Sequence, residues 1–186
     1  MKNEQPAPAS DLTDVALIAR AKSMAKQWIL AISLQHDRIT NPRPQDKVFH
    51  PFGADYFHEA DVHFLAIALQ RLRKTVKTLE HVPQLREKAR IAGHSFDESL
   101  PWVKRLRDVF EHIEDYAVDS NKRHTKTTSR QDLQVWSADS NGMRWLGYDI
   151  DWSKTLDVAH DLHTMITSAS DMLPRSTNVT SNEFQT

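Results

Sequence analysis

Apolar positions recur at intervals of three and four along most of this chain, with polar positions between them. From Asp11 to about Ile39 the series Leu17, Ala21, Met24, Ala25, Trp28, Ile29 and Ile32 follows the helical period, with Ser10 or Asp11 available as N-cap. Asn-Pro-Arg-Pro at 41–44 ends that helix, because proline cannot donate a backbone hydrogen bond and pushes its predecessor towards extended backbone. After a loop to about Tyr56, the spacing predicts a second helix over about 57–81. Phe57, Phe64, Leu65, Ala68, Leu69, Leu72, Val76 and Leu79 share its inward side, and Arg71, Arg73, Lys74 and Lys77 lie around the other. Pro83 suits the first turn of a short third helix and Gly93 the left-handed residue past its end, leaving Leu85, Ala89 and Ile91 as its apolar contacts. A fourth helix starts near Ser99 with Pro101 in its first turn. It carries the stripe Trp102, Leu106, Val109, Phe110, Ile113, Tyr116 and Ala117.

The period then changes. Residues 120–131 offer nothing to bury and an excess of basic side chains, so they read as an exposed loop. Leu133, Val135 and Trp136 lead into Asp-Ser-Asn-Gly at 139–142, and Met143, Trp145, Leu146 and Tyr148 follow, which predicts a β-hairpin near 133–148. A last helix over about 151–173 turns Trp152, Leu156, Ala159, Leu162, Ile166, Ala169 and Leu173 inward, with Asp149, Asp151 or Ser153 as caps and Pro174 as the stop. The expected fold class is all-α: an antiparallel helical bundle with one short extra helix and that small hairpin. It forms a single domain over 11–173 between a disordered N-terminus (1–10) and a disordered tail (174–186).

Composition narrows the function without choosing it. With 24 basic and 25 acidic side chains in 186 residues, no global field draws the chain to a polyanion, so any such site is local. Zero cysteines exclude disulfides, thiolate metal sites and a cysteine nucleophile, and suit a reducing compartment; the expected location is the cytoplasm. No apolar stretch reaches a membrane span, and the polar first ten residues lack the core of a secretion signal, so no membrane partner is expected. Four glycines leave no phosphate-cradling loop.

The most specific chemistry lies in the fourth helix, where Arg107-Asp108-Val109-Phe110-Glu111-His112 sets an arginine five positions before a histidine. In a continuous helix the two lie about 140° apart, flanking the apolar stripe on opposite shoulders. Arg43 with His50 and Arg105 with His112 share similar spacings, but only the pair at 107 and 112 combines a mid-bundle helix with a polar residue directly after the arginine. This run resembles the motif of the HEPN superfamily of helical-bundle ribonuclease and nucleotide-binding domains, without the closely following His-x-Tyr ending of some toxin members. The resemblance implies metal-independent cleavage of RNA, of a toxin or defence type, at a site completed by two copies of the motif in a homodimer, with no cofactor. Arg107 and His112 would be catalytic. His112 would move a proton at a ribose 2′-hydroxyl or at the leaving oxygen, and Arg107 would hold the charged phosphate. The competing structural reading pairs Arg107 with Glu111 or Glu114 and leaves His112 as a helix contact; the function is then that of a catalytically silent binding or regulatory module.

Other positions support these readings or compete with them. Asp61 falls inside the apolar stripe of the second helix, where a carboxylate needs a cation, helix amides or a role in orienting Arg107 or His112. Asp108 and Glu111 would likewise support the pair. Arg71, Lys74, Lys122, Arg123 and Lys126 are candidate nucleic-acid contacts, although basic residues at a helix C-terminus also complement its dipole. Glu59 with His63, and Asp157 with His160 and His163, imitate ligand spacings of metal-binding bundles, but the set is incomplete and His160 points outward, so no metal is expected. Trp28, Trp102 and Trp152 fall at core positions, and Trp136 and Trp145 face one another across the expected turn.

Overall fold

The computed structural model describes residues 13–41, 55–113, 132–133 and 136–172, except for the side chains of 55–58 and 136. Helix α1 spans Asp14–Thr40, α2 Asp55–Leu79, α3 Arg86–Ser99 and α4 Trp102–Glu111. Strands β1 (Trp136–Ala138), β2 (Gly142–Trp145) and β3 (Tyr148–Asp151) follow, then α5 (Trp152–Thr167) and a 3-10 turn over Ser168–Met172. The described residues are thus mostly helical, with one small antiparallel sheet. The expected ends, 1–10 and 174–186, and the basic loop at 120–131 lie outside the described residues.

α1 begins two or three residues later than Asp11 or Ser10 would place it: the Thr13 hydroxyl accepts from the Ala16 amide at 3.3 Å. Ile18, Ala21, Ala25, Ile29, Ile32 and Ile39 form its buried face, and it packs chiefly along α2. The two run antiparallel, because Arg38 near the end of α1 meets Asp61 near the start of α2. α2 buries Val62, Leu65, Ala66, Ala68, Leu69, Leu72, Val76 and Leu79 and touches α1, α3, α4 and α5, so it is the central helix. At about 1.5–3 kcal/mol for each large aliphatic side chain taken out of water, this stripe outweighs any single polar contact in the molecule. Phe64, expected inside, is 56% exposed: it stands one position beyond the stripe.

Gly93 does not terminate α3. The helix runs on to Ser99 and Gly93 is buried within it, which lets Phe96 reach the core and leaves Ile91 exposed. Only Leu100 and Pro101 separate α3 from α4. α4 buries Trp102, Val103, Leu106 and Val109, then ends at Glu111, so Ile113 lies partly exposed, and Tyr116 and Ala117 fall outside the described residues.

The expected hairpin is a three-stranded meander in the order β1-β2-β3. Trp136 pairs with Trp145 in the first ladder and Met143 with Ile150 in the second. Asp139 shapes the first turn by accepting the amides of Asn141 at 2.7 Å and Gly142 at 2.9 Å. Leu146 and Gly147 make the second turn with φ of 52° and 81°, the two-residue left-handed geometry that matches the twist of a hairpin. β3 ends directly in α5, where Asp151 caps the helix by accepting the Lys154 amide at 2.9 Å. Among the described residues, no helix is long and apolar enough to cross a membrane.

Candidate functional site

α2 and α4 lie side by side and antiparallel, as two cross-helix contacts establish. Arg107 Nη1 donates to Gln70 Oε1 at 2.8 Å, and Phe110, one turn later on α4, stacks on His63, two turns earlier on α2, with ring centroids 4.7 Å apart. Along α4, Lys104, Arg107 and Glu111 recur at three and four. Along α2, Lys77, Lys74, Gln70 and His63 form the facing row.

Arg107 is held from three directions. Besides Gln70, it donates from Nη2 to Asp108 Oδ1, and its Nε lies 3.3 Å from Glu111 Oε2. Its side chain is 21% exposed, and Nε itself is buried without a hydrogen bond. Asp108 and Glu111 therefore both touch the arginine. Asp61 does not: its carboxylate meets Arg38 Nε at 3.0 Å, half a helical turn around α2 from Gln70, and it is buried where α1 and α2 meet.

His112 closes α4 rather than continuing it. Its backbone (φ −132°, ψ 27°) departs from helical geometry, and its amide donates to the Val109 carbonyl at 3.3 Å. The angular separation expected for two residues of one continuous helix thus does not apply, since the chain turns at the histidine itself. His112 is half-buried and, like Arg105, has an interaction partner of its own.

His63 belongs to this surface, although its sequence spacing suggested a metal ligand. Its ring lies in a row of aromatics: Phe64 at 5.9 Å, Phe110 at 4.7 Å and, beyond Phe110, Trp145 at 5.0 Å. Nε2 is buried with no hydrogen-bond partner. Burial pushes its pKa below the ordinary 6.5, against the opposing pull of the Glu111 carboxylate. Nothing in linear spacing couples position 63 to 110 and 111; the signal was the half-buried edge of α2, legible only once α4 is laid on it.

The remaining candidates separate. Lys74 lines a cleft between α2 and the α3–α4 corner, whereas Arg71 is exposed away from it. Lys122, Arg123 and Lys126, and the alternative pair Arg43 and His50, lie outside the described residues. Among the described residues, no three His, Asp or Glu side chains gather as metal ligands, Glu59, His63, Asp157, His160 and His163 included. His163 is itself held below its usual pKa, by burial first and by His160 second. Compared with family models, curated proteins and solved structures, the chain finds no match.

Proposed function

We propose that the protein is a HEPN-like, metal-independent endoribonuclease in which Arg107 and His112 react with RNA across a homodimer. The observation that carries this reading is Arg107: a guanidinium held in place by Gln70 and Asp108 on a side chain 21% exposed, five positions before a histidine that ends the same helix. A guanidinium already fixed in place suits the charge that builds on a phosphate under attack, because its orientation needs little reorganisation. The ribose 2′-oxygen forms a bond to phosphorus and gives its proton to one imidazole. The bond from phosphorus to the 5′-oxygen breaks, and the partner subunit's imidazole protonates that oxygen. The products are a 2′,3′-cyclic phosphate and a 5′-hydroxyl.

One observation favours a second reading, a catalytically silent binding module. Asp108 and Glu111 already neutralise Arg107 within its own helix. The experiment that divides the two is RNA cleavage in the presence of a chelator. On the first reading the parent cleaves, and Arg107→Ala and His112→Ala each reduce the rate by roughly a hundredfold or more while melting is unchanged. A parent that cuts nothing removes the first, and a strictly monomeric mass at micromolar concentration removes the shared site.

A further inference from the structure

The cleft that Lys74 lines is basic by construction. It encloses about 440 Å³ between α2 and the corner where α3 passes into α4. Its rim carries Arg73, Lys74 and Lys77 from α2 and Lys104 from α4, against one carboxylate, Asp97. Asp97 is engaged already, accepting from Arg73 Nε at 2.9 Å and Nη2 at 2.7 Å. Lys74, Lys77 and Lys104 are exposed, and no carboxylate pairs with them among the described residues. The inner wall is apolar, formed by Phe96, Leu100 and Val103.

Two of these cations have a structural reason to be there and one does not. Lys74 and Lys77 stand in the C-terminal part of α2, where positive charge complements the helix dipole. Lys104 stands in the first turn of α4, where positive charge opposes it. That helix begins at the cleft with Pro101, without a side-chain cap and with no acidic residue in its first turn. An anion in the cleft would reverse this unfavourable arrangement, meeting Lys104 and the positive end of α4 together.

The cleft also leads to Arg107. Gln70 lines its inner end and, through the same side chain, accepts from Arg107 Nη1. From Lys77 to Gln70 the helix rises about 10 Å, a run of cations longer than one phosphate needs. We infer that this cleft is a binding track for single-stranded RNA, in which Lys74, Lys77 and Lys104 hold successive backbone phosphates and the apolar wall receives an unstacked base, delivering the strand to Arg107. The choice of RNA rests on the ribonuclease reading; the polyanion site rests on the cleft alone. A cleft of this size admits a nucleotide edge-on and excludes a duplex.

The test uses the full chain and a short fluorescein-labelled single-stranded RNA whose 2′-hydroxyls are methylated, so that binding is read without cleavage. Lys74→Glu and Lys104→Glu should each weaken binding at least fivefold. Arg71→Glu, the same charge change on the same helix outside the cleft, should leave it within twofold. Lys74→Arg should retain parental binding, and circular dichroism should show every variant folded. Affinity should fall with salt at a slope of about −2, near −0.7 for each phosphate held. Equal weakening by Arg71→Glu and Lys74→Glu, equally tight binding of a duplex, or a slope of one phosphate with full competition by inorganic phosphate would each overturn the track. If binding behaves as stated but unmodified RNA is never cut, the ribonuclease reading fails and the track stands. If RNA is cut and Lys74→Glu and Lys104→Glu leave kcat/KM unchanged, the track fails and the ribonuclease reading stands.

Discussion

Arg73 lies flat over Gly93. A Cβ at position 93 would stand 2.6 Å from the guanidinium carbon, so the absence of a side chain in mid-helix is what lets Arg73 reach across α3 to Asp97. This accounts for a glycine buried where a helix ordinarily loses about 1 kcal/mol by having one.

Gly93→Ala should therefore change stability by less than about 0.5 kcal/mol, since the helix gains what the displaced ion pair loses. In an Arg73→Ala background the same substitution should stabilise by about 1 kcal/mol, because nothing remains to be displaced. Urea denaturation of the four proteins measures the coupling, and equal effects in both backgrounds would refute the contact.

Asp61 is 2% exposed and meets Arg38, whose side chain is 41% exposed. Arg38→Ala should cost about 2–4 kcal/mol, because it takes the guanidinium from a buried carboxylate. Adding Asp61→Leu to that variant should recover most of the loss, since an apolar residue there needs no cation. Thermal melting of the single and double variants checks this; a double variant no more stable than the single would contradict it.

The histidine at 63 makes stability depend on pH. Its folded pKa lies below the unfolded value of 6.5, so the unfolded chain binds the extra proton first. Stability should be full above 6.5 and fall as pH drops through that value towards the lower folded pKa. His163 adds to the same slope, in the same direction. His63→Phe should flatten part of the dependence between pH 7 and pH 5 and keep the stack on Phe110, whereas Glu111→Gln should lower the His63 pKa further by removing the charge that raises it. Urea denaturation at several pH values reads the first and NMR titration of the His63 ring protons the second, and an upward shift in Glu111→Gln would be the wrong sign.

Gly142 leaves no room for a side chain. A Cβ there would stand 2.3 Å from the carbonyl oxygen of Ile150, a backbone atom that cannot swing aside. Gly142→Ala should destabilise by roughly 2 kcal/mol or more by forcing β2 and β3 apart. The same change at Gly147 meets no atom, so its cost should come from the positive φ alone, about 1 kcal/mol.

The helices were legible because their stripes are long: 27 residues of α1 and 25 of α2 repeat the period often enough to override local ambiguity. Short features were less so. Gly93 has the chemistry of a helix stop, and only the neighbouring Arg73 explains why it is not one. β3 is four residues whose aspartates at 149 and 151 read equally well as helix caps, and Asp151 is in fact both the last strand residue and the cap. Around Arg107, Asp108 and Glu111 were visible from spacing within one helix. Gln70 and His63 were not, because their place beside Arg107 and Phe110 depends on how α2 and α4 align, and neither lies at a distinctive interval from any residue of the motif.

Trp152 ties the meander to the helix that follows. Its amide donates to the Asn141 carbonyl at 3.0 Å and its indole to the Asp139 carbonyl at 3.1 Å, so the first residue of α5 grips the β1–β2 turn while its own side chain is 1% exposed. The end of the sheet at the β1–β2 turn consequently does not open by itself. Strands and helix should exchange their amide hydrogens as one cooperative block, late in unfolding, while the exposed tip at Gly147 exchanges early. A cut or insertion at 146–147 would spare that block, and one between 151 and 152 would divide it.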